Sequence, residues 1–204
     1  MVGAVTAGIL FTVCLLRVHP FLAVTEPIGN GLLVVEGWMP DVVIPQVMGI
    51  LEEGNYVAIV TTGGKVWQGS YLKDYGSFAE VMARSLRTRT QSIPVHAVPA
   101  SGAEVDRTFA SALALREWLA ASGVDERRID LVTDGSHARR SRLLFSLALG
   151  DAFDVGIIAL EPSDFDSAIW WRSSAGVRTV IGEAVGYGYA KFLFWPESSD
   201  TNTQ

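Results

Sequence analysis

Leu131-Val-Thr-Asp-Gly-Ser-His137-Ala-Arg-Arg140-Ser-Arg-Leu-Leu-Phe145 is the stretch whose reading decides the fold. It starts as an apolar, β-branched run, passes through a short polar turn, and continues with Leu143, Leu144 and Leu147 at helical spacing. The pattern predicts a buried strand feeding directly into a helix, with Asp134, Gly135 and Ser136 as capping residues. A helix N-terminus presents unpaired N–H groups and a partial positive charge. His137 and Arg140 fall on its first turn, so the segment has the makings of an anion site.

The same strand-then-helix unit recurs in both directions from this stretch. Upstream, short apolar runs at Leu32 to Val35, Tyr56 to Thr62, Ile93 to Val98 and Ile129 to Thr133 read as strands, and Asp154 to Leu160 adds a fifth. Helical patterns separate them: one to about Glu53, one around Phe78 to Leu86, one from Arg107 to Ala121, and a last one from about Gly176 to Phe194. In the last helix Val177, Val180, Ile181, Ala184, Val185 and Phe192 are read as an apolar face, and Gly182, Gly186 and Ala190 as small residues for close packing. The stretches Lys65 to Tyr75 and Pro99 to Asp106 read as loops. Regular alternation implies an α/β domain, with a mostly parallel sheet of about five strands between two helical layers. Ligands of such sheets bind beyond the carboxyl ends of the strands. Polar residues gather at those ends: Glu36, Thr62-Gly63-Gly64, Asp106-Arg107-Thr108, Asp134 to Arg140, and Glu161.

The N-terminus reads differently. Val2 to Leu16 carries no charge, and Phe21 to Val24 stays apolar beyond Arg17, His19 and Pro20. The run is short for a span of ~20 residues, and it has neither a basic leader nor a clear cleavage site. It is read as one N-terminal membrane anchor over 1–24, followed by a linker over 25–30, the α/β domain over 31–195 and a disordered polar tail over 196–204. Arg17 on the C-terminal flank would by itself favour a cytoplasmic domain.

Composition narrows the function. With 204 residues, 49% hydrophobic and 19% charged, the chain can build one sizeable core. Its net charge of −6 excludes a general nucleic-acid binder, which needs a basic face. A single cysteine and three histidines leave no thiolate framework and make a zinc hydrolase site improbable, so no metal ligands are assigned. There is no Gly-x-Ser-x-Gly elbow and no Walker A lysine.

The motifs in their order resemble the YdcF/SanA/ElyC-like proteins, a large bacterial group. They are the apolar first strand, Thr-Gly-Gly after the second, Ala79-Glu80-Val-Met, Arg107-Thr108 with Ala112, and Val-Thr-x-x-x-His137-x-x-Arg140-Ser141. The resemblance covers roughly residues 31 to 192. Glu36-Gly-Trp-Met-Pro-Asp41 and Trp170-Trp171-Arg172-Ser173-Ser174 depart from the commoner pattern. What the resemblance implies is a Rossmann-like fold, tethered to the bacterial cytoplasmic membrane by one N-terminal span and facing the extracytoplasmic side. It also implies a role in cell-envelope, peptidoglycan or polysaccharide biogenesis.

The expected site is a pocket for a phosphorylated or lipid-linked precursor. His137 would donate a proton, and Asp134 or Glu36 would act as base or hold a divalent cation through oxygen ligands. The glycines Gly63 and Gly64 let backbone approach an anion, and Arg140 would clamp a phosphate. Thr62, Glu80, Arg107, Thr108 and Ser136 complete the expected ligand-binding set, with Glu80 resting on the resemblance alone and Thr108 read first as a helix cap. Trp170 and Trp171 are read as a lid, an interfacial contact or core. The sequence assigns no cofactor. Two alternatives stand beside this reading: a non-catalytic envelope interaction factor, and a domain binding a nucleotide-type cofactor.

Overall fold

The computed structural model describes residues 2–66, 76–101 and 106–196. Most of the loops read at 65–75 and 99–106, and the tail beyond residue 196, therefore lie outside the described residues. Five strands form one sheet: β1 (Asn30–Glu36), β2 (Asn55–Gly63), β3 (Val95–Pro99), β4 (Arg128–Asp134) and β5 (Asp154–Leu160). Their order is β3-β2-β1-β4-β5, every pair parallel. Among the described residues six α-helices accompany them: α1 (Val2–Leu22), α2 (Ile44–Glu53), α3 (Phe78–Arg87), α4 (Arg107–Ser122), α5 (Ala138–Leu149) and α6 (Ser174–Phe192). The chain is thus a Rossmann-like α/β fold.

Side chains alternate across the sheet, so each strand feeds two cores. Leu32, Val34, Ile129 and Leu131 point to one face, where Ala112 and Leu115 of α4 and Phe145 of α5 cover them. Leu33, Val35 and Val132 point to the other, against Val47 of α2 and Met82 and Leu86 of α3. That double burial is why these strands read as continuous apolar runs. Glu36 continues the Leu32–Val34 face, and Thr62 and Thr133 continue the equivalent faces of β2 and β4. The pairing sets Glu36 opposite Thr62 on β2, while Val35 opposite Val132 brings Thr133 up on the other side. Three polar side chains therefore end an otherwise apolar face.

The strand order reverses between β1 and β4, the switch point at which such sheets open a crevice. Glu36 ends one of these strands and Asp134 the other.

The N-terminal part is tied to the domain more closely than hydropathy alone suggests. Among the described residues no helix is long and apolar enough to cross a membrane, so the expected N-terminal span finds no support in the fold. One side of the end of α1 also packs on protein: His19 is buried there, while Arg17 and Pro20 stay exposed. Leu22 is fully buried in a cluster with Trp170 and Val180, joined by Leu15 and Val18. Trp170 Nε1 donates to the Leu15 carbonyl at 3.1 Å, and the Arg139 guanidinium lies 4.1 Å over the Phe21 ring and donates to its carbonyl. Trp170 is therefore a core residue, not a lid. The segment 25–30, read as a linker, is tied to the sheet. Glu26 bridges antiparallel to Ile157 of β5, and the buried Asp130 carboxylate accepts from Ile28 N and Gly29 N at 2.7 Å and from the Tyr56 hydroxyl at 2.8 Å.

Candidate functional site

A cleft of about 450 Å³ opens beyond the carboxyl ends of β1 and β4. Asp134 and His137 come to it from the β4–α5 turn, Trp38 from the turn after β1, Asp164 from the segment after β5, and Arg178 and Glu183 from α6.

His137 is the centre of the geometry. Its ring is buried and hangs between two carboxylates, with Nδ1 2.9 Å from Glu183 Oε1 and Nε2 3.6 Å from Glu36 Oε2. Thr108 Oγ1 lies 3.4 Å from the same Nε2, and Trp38 packs edge-on against the ring at 5.2 Å. Arg140 Nη2 also lies 2.9 Å from Nδ1, and that nitrogen cannot both donate to Glu183 and accept from Arg140. We assign its proton to the bond with Glu183. The bond is charge-assisted, and Arg140 Nη2 already donates to Glu183 Oε1 at 2.9 Å. That tautomer leaves the Nε2 lone pair towards Thr108 and Glu36.

Glu36 is held rigidly. Its Oε2 accepts from Ser141 Oγ at 2.9 Å and from Thr133 Oγ1. Glu183 takes Arg140 through a two-bond fork, from Nε to Oε2 at 2.8 Å and from Nη2 to Oε1. Burial works against its charge, but the bonds from His137 and Arg140 outweigh burial and hold the carboxyl at about 2. Burial also disfavours charge on Arg140, yet the partnership with Glu183 raises its pKa above the usual value.

Asp134 behaves oppositely. Burial, and then the carboxylate of Asp164, push its pKa up to about 6; His137 opposes, while Glu183 and Glu36 add to the rise. The expected cap is absent: Asp134 makes no side-chain cap bond, and neither does His137 at the start of α5. The carboxyl of Asp134 is consequently left to the cleft.

Four expectations are corrected. Arg140 is not an open phosphate clamp, because its guanidinium is committed to Glu183. Glu80 is away from the cleft on α3, where it closes a capping box with Ser77, accepting from Ser77 N and Oγ at 2.9 Å. Thr108 is not a cap, since its hydroxyl reaches the His137 ring. The glycines Gly63 and Gly64 do not line the cleft. Gly63 adopts a φ of 153° and packs on Phe78, where a side chain would crowd Phe78 Cβ at 3.0 Å. Gly64 accepts from Phe78 N at 2.9 Å, so the pair joins β2 to α3. Arg107 opens α4 and is exposed. Thr62 and Ser136 are fully buried, and their hydroxyls find no partner among the described residues.

Glu183, Trp38, Asp164 and Arg178 were not singled out from the sequence. Glu183 is the important omission. It lies in mid-helix, 43 positions beyond Arg140, and only the packing of α6 on α5 brings them together. Gly186 was a usable signal: a Cβ there would meet Arg140 Nε at 3.1 Å, so its bareness makes room for the guanidinium.

No family model matches the chain, and no curated protein matches it. Two solved structures of a pantothenate synthetase from Thermus thermophilus, one described as pantoate-beta-alanine (pantothenate synthetase), are similar to it. Each is 12% identical, with 85% of this chain and 79% of that chain covered and a TM-score of 0.41. Likeness at that level carries no argument.

Proposed function

We propose that the protein is a membrane-associated factor of cell-envelope biogenesis, extracytoplasmic in orientation. Its cleft binds a phosphorylated or lipid-linked envelope precursor and moves a proton through His137. The observation that carries the chemistry is the imidazole suspended between Glu183 and Glu36 at the switch point of the sheet. A carboxylate on Nδ1 fixes the tautomer and stabilises the imidazolium that forms when Nε2 takes a proton. Such an arrangement serves hydrolysis or transfer at a phosphoryl bond, with Arg178 as the cleft cation that meets the phosphate. The envelope assignment is supported by the motif order resembling the YdcF/SanA/ElyC-like proteins, and the membrane assignment by the apolar character of α1.

One observation favours a second, non-catalytic reading. Arg140 is consumed by Glu183, and the cleft carries Asp134 and Asp164 against Arg178, so it is poorly charged for stabilising a phosphoryl transition state.

Thermal-shift and turnover measurements with nucleotide-sugars and polyprenyl phosphates, with and without magnesium, separate the two. In the catalytic reading His137→Gln keeps the ligand-induced shift and loses turnover by about 10²–10⁴-fold. A shift with no turnover in the parent protein would leave the binding role. The absence of any shift in a folded protein would defeat both.

A further inference from the structure

Helix α6 carries apolar residues on both its inward and its outward side. Its inward residues Gly176, Val180 and Ala190 are buried. With about 100° of rotation per residue, Val177, Ile181, Val185, Tyr189 and Phe192 form a ridge on the side opposite these. All five are exposed, Val185 by 68% and Phe192 by 69%, and Leu193 and the 85%-exposed Trp195 continue the ridge. The sequence pattern had merged Val177, Ile181 and Val185 with the packed face of this helix. An ordinary surface helix carries polar residues there. On α1, Val13, Leu16 and Phe21 are also exposed, and Phe21 packs edge-on at 5.7 Å against Tyr187 on the inward, half-buried side of α6. Apolar surface of this extent marks an interaction site.

Charge selects the occupant. The chain as a whole is at −6, yet α1 contains no Asp or Glu. The acid in α6, Glu183, is turned inward onto Arg140 and His137. The exposed charges of the two helices are Arg17, Arg178 and Lys191, all basic. The Lys191 ammonium lies 5.7 Å from the Tyr187 ring and 6.0 Å from the Phe192 ring, at the border of the ridge. Lys191 at the border of the ridge and Arg178 within it, at the lip of the cleft, with tyrosine and tryptophan towards one end, complement an anionic phospholipid surface. A second copy of the chain would instead bring like charges together.

We propose that α6 lies in the plane of an anionic membrane surface, its Val177–Phe192 ridge at the boundary between headgroups and acyl chains. The same helix supplies Arg178, Gly182 and Glu183 to the cleft, so the cleft would open beside the lipid. This deepens the membrane association proposed above and rests on it, although α1 alone would satisfy that association.

The test uses the full chain with an environment-sensitive fluorophore on one cysteine at a time. The labelled positions are the native Cys14 on α1, Val185→Cys on the ridge and Glu117→Cys on α4, the last two in a Cys14→Ser background. Vesicles of phosphatidylglycerol with phosphatidylethanolamine are compared with phosphatidylcholine vesicles. The expected result is a blue shift at residue 185, quenched by lipid-borne quenchers on anionic vesicles, with no change at residue 117. Lys191→Gln should weaken vesicle binding about fivefold. If the Cys14 label reports binding while residue 185 stays in water, the α6 inference is overturned and the membrane association stands. If neither label responds, both fall. A shift at residue 185 that needs protein concentration but no vesicles would assign the ridge to self-association and overturn the proposal.

Discussion

Asp134 and Glu183 face the same cleft but titrate in opposite directions, which makes them separable in solution. Asp134 has a folded-state pKa of about 6, raised from 3.8. A group raised in this way contributes stability that is fully present below its unfolded value and lost as pH rises through 6. Removing its charge should therefore help the fold at neutral pH. Asp134→Asn is expected to raise stability at pH 7.5 by about 1–2 kcal/mol, after allowing for solvent screening, and to change nothing near pH 3.5. Urea denaturation at the two pH values checks this; equal effects at both would show that the gain is not electrostatic. Glu183 runs the other way. Its carboxyl is held at about 2 against an ordinary 4.5, so its contribution is present above pH 4.5 and lost as pH falls towards 2. At this scale the sequence showed half of the site. His137, Asp134 and Glu36 were readable because they sit at strand ends, where polar residues interrupt apolar runs. Glu183 was not, because nothing local distinguishes it from any glutamate on a helix.

Elements explain why one glutamate can organise the site. α6 packs on α5 with Gly186 beneath the Arg140 guanidinium, and the Arg140–Glu183 fork links the two helices. Gly186→Val is expected to push that guanidinium aside, at a cost of about 1–3 kcal/mol. It should also lower the affinity of any cleft ligand, because Glu183 would no longer be held against His137. Parallel urea denaturation and ligand titration measure both; a stable variant with unchanged ligand affinity would show that the fork does not position the site. The strands were legible almost to their ends: the run read at Leu32 to Val35 is the core of β1, and Asp154 to Leu160 matches β5. Burial on both faces leaves an unbroken apolar signal that no tertiary contact has to supply. For α6 the signal misled. A helix apolar on both its inward and its outward side does not disclose which residues pack, and Val180 went inward while Val177, Ile181 and Val185 stayed outside.

At the scale of the whole molecule, the end of α1 belongs to the folded unit. Leu22 is fully buried, Leu15 and Val18 join its cluster, and the Leu15 carbonyl holds the Trp170 indole. A soluble domain cut at residue 25, the boundary suggested by hydropathy, would expose Trp170 and Val180 and leave that indole N–H without its partner. Burying one leucine contributes about 2 kcal/mol. With the two partly buried side chains and one hydrogen bond, the segment 15–24 is expected to contribute about 4 kcal/mol. A chain starting at residue 15 should therefore unfold at a clearly higher urea concentration than one starting at residue 25, with a similar slope. Identical midpoints would mean that α1 rests on the domain without stabilising it. The consequence reaches the cleft, since α1 packs on the 3-10 turn Gly135–His137 and on α5 and α6. Whatever holds α1, a lipid surface included, bears on the turn that presents His137. The shorter chain should accordingly lose ligand affinity along with stability, even though it keeps every residue of the cleft.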